Sequence, residues 1–142
     1  MKKICGVMGG MGPLATVDFL NKIIQCTRAK KDADHVHTII DCNTSIPDRS
    51  AHILYDRESP REELIRTAKR LQNAGADFLV LTCNTAHYFF DDIQKSVDVP
   101  VINMIDEVGK YAKERKLHRI GLLATTGDTR QRSRATPARS SA

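Results

Sequence analysis

The sequence has no tryptophan and only 5% aromatic residues, so its core must be built from aliphatic side chains. It also has no run of about 18 apolar residues, the length needed for a membrane-spanning helix, and a protein free of membrane is expected. The start of the chain, Met1-Lys2-Lys3 followed by five largely apolar residues before Gly9-Gly10, is too short for a signal-peptide core, which sets a cytoplasmic expectation. Cysteine is sparse and irregular. Cys5, Cys26, Cys42 and Cys83 form no Cys-x-x-Cys and have no histidine at zinc-ligand spacing, so no metal site is expected. In a reducing compartment these four are free thiols, most of them acting as small buried hydrophobes.

Acidic charge is in slight deficit, with 22 Lys and Arg against 17 Asp and Glu, a net charge of +5. The excess lies mostly in residues 125–142, where Arg130, Arg132, Arg134 and Arg139 against Asp128 contribute 4 − 1 = +3, leaving +2 for the remainder. A near-neutral body carries no basic footprint for nucleic acid, and no nucleic-acid partner is expected. The same 125–142 segment lacks Val, Ile, Leu, Phe, Met, Tyr and Trp. A chain that cannot bury apolar surface cannot offset its ordering entropy, so residues 125–142 are expected to form a disordered tail after a folded lobe of residues 1–124.

Within the lobe, short β-rich runs alternate with longer helix-like segments, the pattern of βαβ units around a parallel sheet. Five strands are expected: Ile4–Met8, Val36–Cys42, Phe78–Thr82, Val101–Met104 and Ile120–Ala124. The first helix follows Pro13 and presents Val17, Leu20, Ile23 and Ile24 to the sheet. A second starts after Ser59-Pro60-Arg61-Glu62, which combines a capping hydroxyl, a first-turn proline and an early acid, and ends at Gly75. Two more are expected over about 85–96 and 105–115. The fold class is therefore α/β, a three-layer parallel-sheet lobe of flavodoxin-like βα repeats.

Ligands of open α/β sheets bind at the carboxyl ends of the strands. Strand one delivers Gly9-Gly10-Met11-Gly12-Pro13 there, strand two Asn43 to Arg49, strand three Cys83-Asn84-Thr85-Ala86-His87, and strand five Thr125-Thr126-Gly127. The glycine loop suits a carboxylate or phosphate, because backbone can approach the anion closely. Gly10-x-Gly12-x-x-Ala15 formally fits a dinucleotide fingerprint. Against that, Pro13 removes an N–H, and the acid expected about 20 residues on falls at Asp32 or Asp34, before strand two. A plain tight turn opening a helix is compatible with either reading.

Cys83 stands where an apolar strand meets a helix start, so helix N–H groups would favour its thiolate; the bland alternative is a buried filler. Asn84 and Thr85 add an amide and a hydroxyl able to hold a carboxylate. His87 is read as bonding locally or facing solvent. Arg49 could grip a carboxylate through two parallel hydrogen bonds, with Asp48 orienting it or an ammonium group, or both could belong to a solvated turn. Cys5, Cys26 and Cys42 are read as core packing.

Taken together, Gly9-Gly10-Met11-Gly12-Pro13 with Ala15-Thr16, Ile46-Pro47-Asp48-Arg49, Leu81-Thr82-Cys83-Asn84-Thr85-Ala86-His87 and Gly121-Leu122-Leu123-Ala124-Thr125-Thr126-Gly127 resemble the aspartate/glutamate racemase family. The resemblance covers about residues 2–127 and is strongest toward aspartate racemases. It implies a pyridoxal-independent isomerase with no cofactor, in which two cysteines flank the substrate Cα and interconvert L- and D-aspartate, or glutamate. By that match Cys83 is catalytic, and Met11, Gly12, Asp48, Arg49, Asn84, Thr85 and Thr126 bind a small acidic amino acid. A homodimer is also implied. The resemblance further implies a second α/β lobe carrying the opposing cysteine in a Gly-Cys-Thr-Glu stretch, which this sequence does not contain. The Asp128-Thr129-Arg130 continuation reads as truncated or frameshifted, and the chain is expected to be impaired as a racemase. The alternative is a non-catalytic module that binds an acidic amino acid or self-associates.

Overall fold

In the computed structural model, which describes residues 2–121 and 123–125, the order is β1 (Ile4–Gly9), α1 (Pro13–Cys26), a 3-10 turn (Asp32–Asp34), β2 (His37–Cys42), α2 (Arg49–Tyr55) and α3 (Arg61–Asn73). There follow β3 (Phe78–Leu81), a second 3-10 turn (Thr85–Phe89), α4 (Phe90–Ser96), β4 (Val101–Ile102) and α5 (Met104–Glu114). The strands form one parallel sheet of order β2-β1-β3-β4, as the βαβ reading requires. Ile4 to Gly9 pair with His37 to Cys42 on one side, and Cys5 to Met8 pair with Phe78 to Leu81 on the other, which makes β1 and β3 the central strands.

Side chains alternate across these strands because the pleat has period two. Met8, Leu79 and Leu81 point to the α3–α4 face, where they pack with Leu64, Ala68, Leu71 and Ile93. Cys5, Val7 and Val80 point the other way, against Phe19 of α1. The space over Gly6 is filled: a Cβ there would lie 2.6 Å from Leu79 Cδ2 of β3, 2.8 Å from the Ala76 Cβ and 3.3 Å from the Leu71 Cβ of α3, so only glycine fits.

Several sequence expectations are corrected. Among the described residues no fifth strand forms: residues 120, 121, 123 and 124 have no regular structure, with Ile120 and Leu123 exposed. The strand beside which they would lie, β4, is itself only two residues long. It stops early because the Asn103 side chain accepts from the N–H groups of Ile105 and Asp106 and caps α5, so Met104 is helical rather than extended. The helix expected from residue 85 is a 3-10 turn first and an α-helix only from Phe90. Helix α2 was not expected, since seven residues are too few for a periodic signal; Asp48 caps its start and Asp56, at φ 51°, ends it. On α1, Val17 and Ile24 are about half exposed and the buried contact comes from Thr16. Cys26 and Cys42 are exposed, not core, because one ends a helix and the other ends an edge strand; Cys5 is buried. The expected tail lies outside the described residues apart from Thr125.

Candidate active site

The rim at the carboxyl ends of β1, β2 and β3 is assembled by contacts between distant segments. Gly10 adopts φ +87°, and a Cβ there would sit 2.4 to 2.6 Å from the Asn43 backbone. That packs the glycine loop against the β2–α2 connection, a position only glycine can fill. Asn43 is held in turn by hydrogen bonds from its amide to Glu63 and Thr67 of α3, each at 2.9 Å.

Arg49, at the start of α2, ties the same two loops together. Its Nη1 donates to the carbonyls of Ile46 (3.3 Å) and Pro47 (3.0 Å), and its Nη2 donates to the carbonyl of Met11 (3.2 Å). Among the described residues it forms no ion pair with a carboxylate, and its buried Nε has no partner. Beyond these bonds Nη2 has a second N–H, and a half-buried guanidinium that no carboxylate neutralises among the described residues can turn such a donor to an anion. Asp48 does not orient Arg49; its carboxylate accepts from the Ala51 N–H at 2.9 Å and caps α2.

A hydroxyl chain joins the glycine loop to β3. The Gly10 N–H donates to the Thr16 hydroxyl (3.0 Å), which donates to the Gly12 carbonyl (3.2 Å) and lies 3.3 Å from the hydroxyl of Thr82. Thr82 also reaches the Met8 carbonyl at 3.2 Å. Each hydroxyl has one proton, so with that of Thr16 used on Gly12, the Thr82 proton points either to Thr16 or to Met8. Thr16 and Thr82 both lie in the segments that resemble the racemase family, and nothing in their spacing predicts that they meet. The signal available in the sequence was a polar residue at the end of an otherwise apolar strand.

Cys83 follows directly, half-buried at the carboxyl end of β3, with the exposed Asn84 beside it. Thr85 is buried in the 3-10 turn, and the Met11 side chain packs in the core while its carbonyl faces Arg49. The helix dipole invoked for Cys83 is thus limited to a five-residue 3-10 turn. Asn84 and Thr82 line a cleft of about 450 Å³ together with Ala15, Phe19 and Met104, on the α1 side of the rim. Gly12 is open, with nothing near the place a Cβ would take. Thr126 lies outside the described residues. Cys5 is desolvated under α1, and burial pushes its thiol up to about 11, far from thiolate chemistry at neutral pH.

His87 is buried, with Nδ1 2.9 Å from the Cys83 carbonyl and Nε2 accepting the Met104 N–H at 3.2 Å. The local bond matches the sequence reading; burial and the bond to α5 do not. Among the described residues no group of three or more His, Cys, Asp and Glu side chains is placed to hold a metal ion, and no helix is long and apolar enough to cross a membrane.

The chain is 34% identical over 111 residues to a broad-specificity amino-acid racemase of Bacillus subtilis, a match spanning 74% of this chain and 47% of that one. Its fold is similar to that of Picrophilus torridus aspartate racemase, with a TM-score of 0.85 and 35% identity over 91% of this chain and 55% of the other. An aspartate racemase homologue from Pyrococcus horikoshii aligns with a TM-score of 0.66 and 34% identity, over 81% of this chain and 50% of the other. The chain therefore spans about half the length of these relatives. The model of the Asp/Glu/hydantoin racemase family matches residues 8–139, past Gly127, where the motif resemblance was expected to stop. By the extent of that match and by its fold, the chain belongs to the Asp/Glu/hydantoin racemase family.

Proposed function

We propose that this chain is the Cys83-bearing lobe of a cofactor-independent racemase acting on aspartate or a closely similar acidic amino acid, and that it is impaired by itself. The observation that supports this most is that a half-buried thiol, Cys83, follows the carboxyl end of β3, while at the same end of the sheet Arg49, a guanidinium that no carboxylate neutralises among the described residues, binds the Met11 carbonyl of the glycine loop. A substrate carboxylate would take the second Nη2 N–H of Arg49, beyond the one bonded to Met11, and the amide of Asn84, with Gly12 leaving room for close approach. The Cys83 thiolate would then take the Cα proton and become a thiol, leaving a carbanion. Returned from the same face, that proton regenerates the starting enantiomer, so inversion requires a second acid on the opposite face. Cys5, Cys26 and Cys42 do not serve: Cys5 lies buried under α1, and Cys26 and Cys42 end other elements. An opposing lobe, as the family resemblance implies, would supply the second acid.

Incubation of the chain with L- and D-aspartate in D₂O, followed by NMR and circular dichroism, tests this. Exchange of the α-proton without inversion, lost in Cys83→Ala, is the expected outcome. Exchange that persists in Cys83→Ala would remove the thiol from the reaction. A second reading, a module that self-associates without catalysis, is favoured by one observation: α5 carries Ile105, Val108 and Tyr111 at 48%, 60% and 55% exposure along one stripe. Sedimentation velocity separates the two, since a monomer at high concentration rules out association through that stripe.

A further inference from the structure

We infer that His87 is a positioning residue for Cys83, locked in the neutral Nδ1–H tautomer between the Cys83 carbonyl and the first N–H of α5. The assignment follows from what each partner can do. A carbonyl only accepts, so the ring nitrogen 2.9 Å from the Cys83 oxygen carries the proton. A backbone N–H only donates, so the nitrogen facing Met104 at 3.2 Å has a free lone pair. Neither the other tautomer nor an imidazolium satisfies both bonds. The residue is 6% exposed, and its ring lies parallel to that of Phe90, with centroids 6.3 Å apart and an interplanar angle of 3°.

The consequence falls on the rim. The bond to the Cys83 carbonyl sets the peptide plane between Cys83 and Asn84, and with it the direction of the thiol and of the amide beside it. The bond to Met104 holds the β4–α5 junction, and Met104 lines the same cleft as Thr82 and Asn84. One buried imidazole thus bridges two rim segments, the turn after β3 and the β4–α5 junction.

This role rests on the reading of Cys83 as the proton acceptor, and the test separates the two. Long-range ¹H–¹⁵N correlation on histidine-labelled protein reads the tautomer directly: Nδ1 pyrrole-like and Nε2 pyridine-like is expected, and the reverse pattern or an imidazolium at neutral pH overturns the inference. His87→Asn keeps a donor toward the Cys83 carbonyl, His87→Gln keeps an acceptor toward Met104, and His87→Phe fills the space with neither. α-Proton exchange of aspartate is expected to fall about tenfold or more in His87→Phe and to recover in His87→Asn, as small misplacements of a reacting group cost that much. Alkylation by iodoacetamide, read at Cys83 itself, should change by less than about threefold in both, because a small reorientation leaves the exposure of the thiol nearly as it was. Equal exchange in the wild type and His87→Phe overturns the inference. If the wild type exchanges nothing, the catalytic reading of Cys83 is what fails. The tautomer, and protection of the Met104 amide in wild type and His87→Gln but not His87→Phe, then decide His87 alone.

Discussion

On the α3–α4 face of the sheet, Met8, Leu64, Leu71, Leu79, Leu81 and Ile93 are each 2% exposed or less; on the α1 face the buried set is Cys5, Val7 and Val80, while Leu14, Val17 and Ile24 of α1 remain open. The two faces are made by the same strands, so the difference lies in what covers them. Helices α3 and α4 lie over the strands and interlock with them. Helix α1 covers one strip of the sheet through Thr16 and Phe19, and α5 buries only Ala112. Stability is therefore concentrated on one face, association potential on the other, and the candidate chemistry on the rim that both share.

The largest expected effect comes from the dense face. Leu64→Ala should cost about 2–5 kcal/mol, because the surrounding side chains cannot collapse into the space; urea unfolding measures it. A cost below about 1 kcal/mol would mean that this face is looser than its burial implies. At the rim, Gly10→Ala forces a Cβ into the Asn43 backbone at a left-handed φ, with an expected loss of about 2–4 kcal/mol and loss of any α-proton exchange.

Beneath α1, the desolvated Cys5 offers a pH test. Its folded pKa, about 11, lies above the ordinary 9.0, so the native state holds the proton that the unfolded chain releases. Its contribution to stability is intact below pH 9 and falls between about 9 and 11, by up to about 3 kcal/mol. Thermal unfolding of the wild type and Cys5→Ala across that window should converge as pH rises; parallel curves would mean that Cys5 is not desolvated. Removing the α2 cap with Asp48→Ala should cost about 1 kcal/mol and loosen Arg49, read as weaker aspartate binding by NMR titration. The smallest effect on stability belongs to the open surface. Val17→Ala and Val108→Ser should each stay within about 0.5 kcal/mol, while Val108→Ser lowers any self-association seen by sedimentation. A large destabilisation by Val17→Ala would show that the α1 face is covered in solution.

Much of the lobe could be read directly from the residues. The runs at Ile4, His37, Phe78 and Val101 are strands, and Pro13, Ser59-Pro60 and Gly75 mark helix ends close to where they fall. The rim placement of the glycine loop, Arg49 and Cys83 followed from the rule that parallel strands present their carboxyl ends to ligands. Misreadings arose where a local signal was outweighed by something distant or short. The apolar stripe of α1 predicts a buried face, yet exposure depends on what the sheet offers opposite each position, and Val17 and Ile24 stay about half exposed. The run at Ile120 has strand composition, but a two-residue β4 offers little ladder to extend.

What the sequence determines is therefore local: periodicity, caps, turns, the order of strands and helices, and which side chains stand at strand ends. Only the tertiary structure decided which of those side chains meet. The Thr16–Thr82 hydroxyl contact spans 66 residues and the His87–Met104 bond spans 17, and neither leaves a periodic trace in the chain. Such bonds depend on strand register and helix approach, which are set by the whole core packing at once, and so Arg49, Thr16 and His87 acquired their partners only when the chain folded.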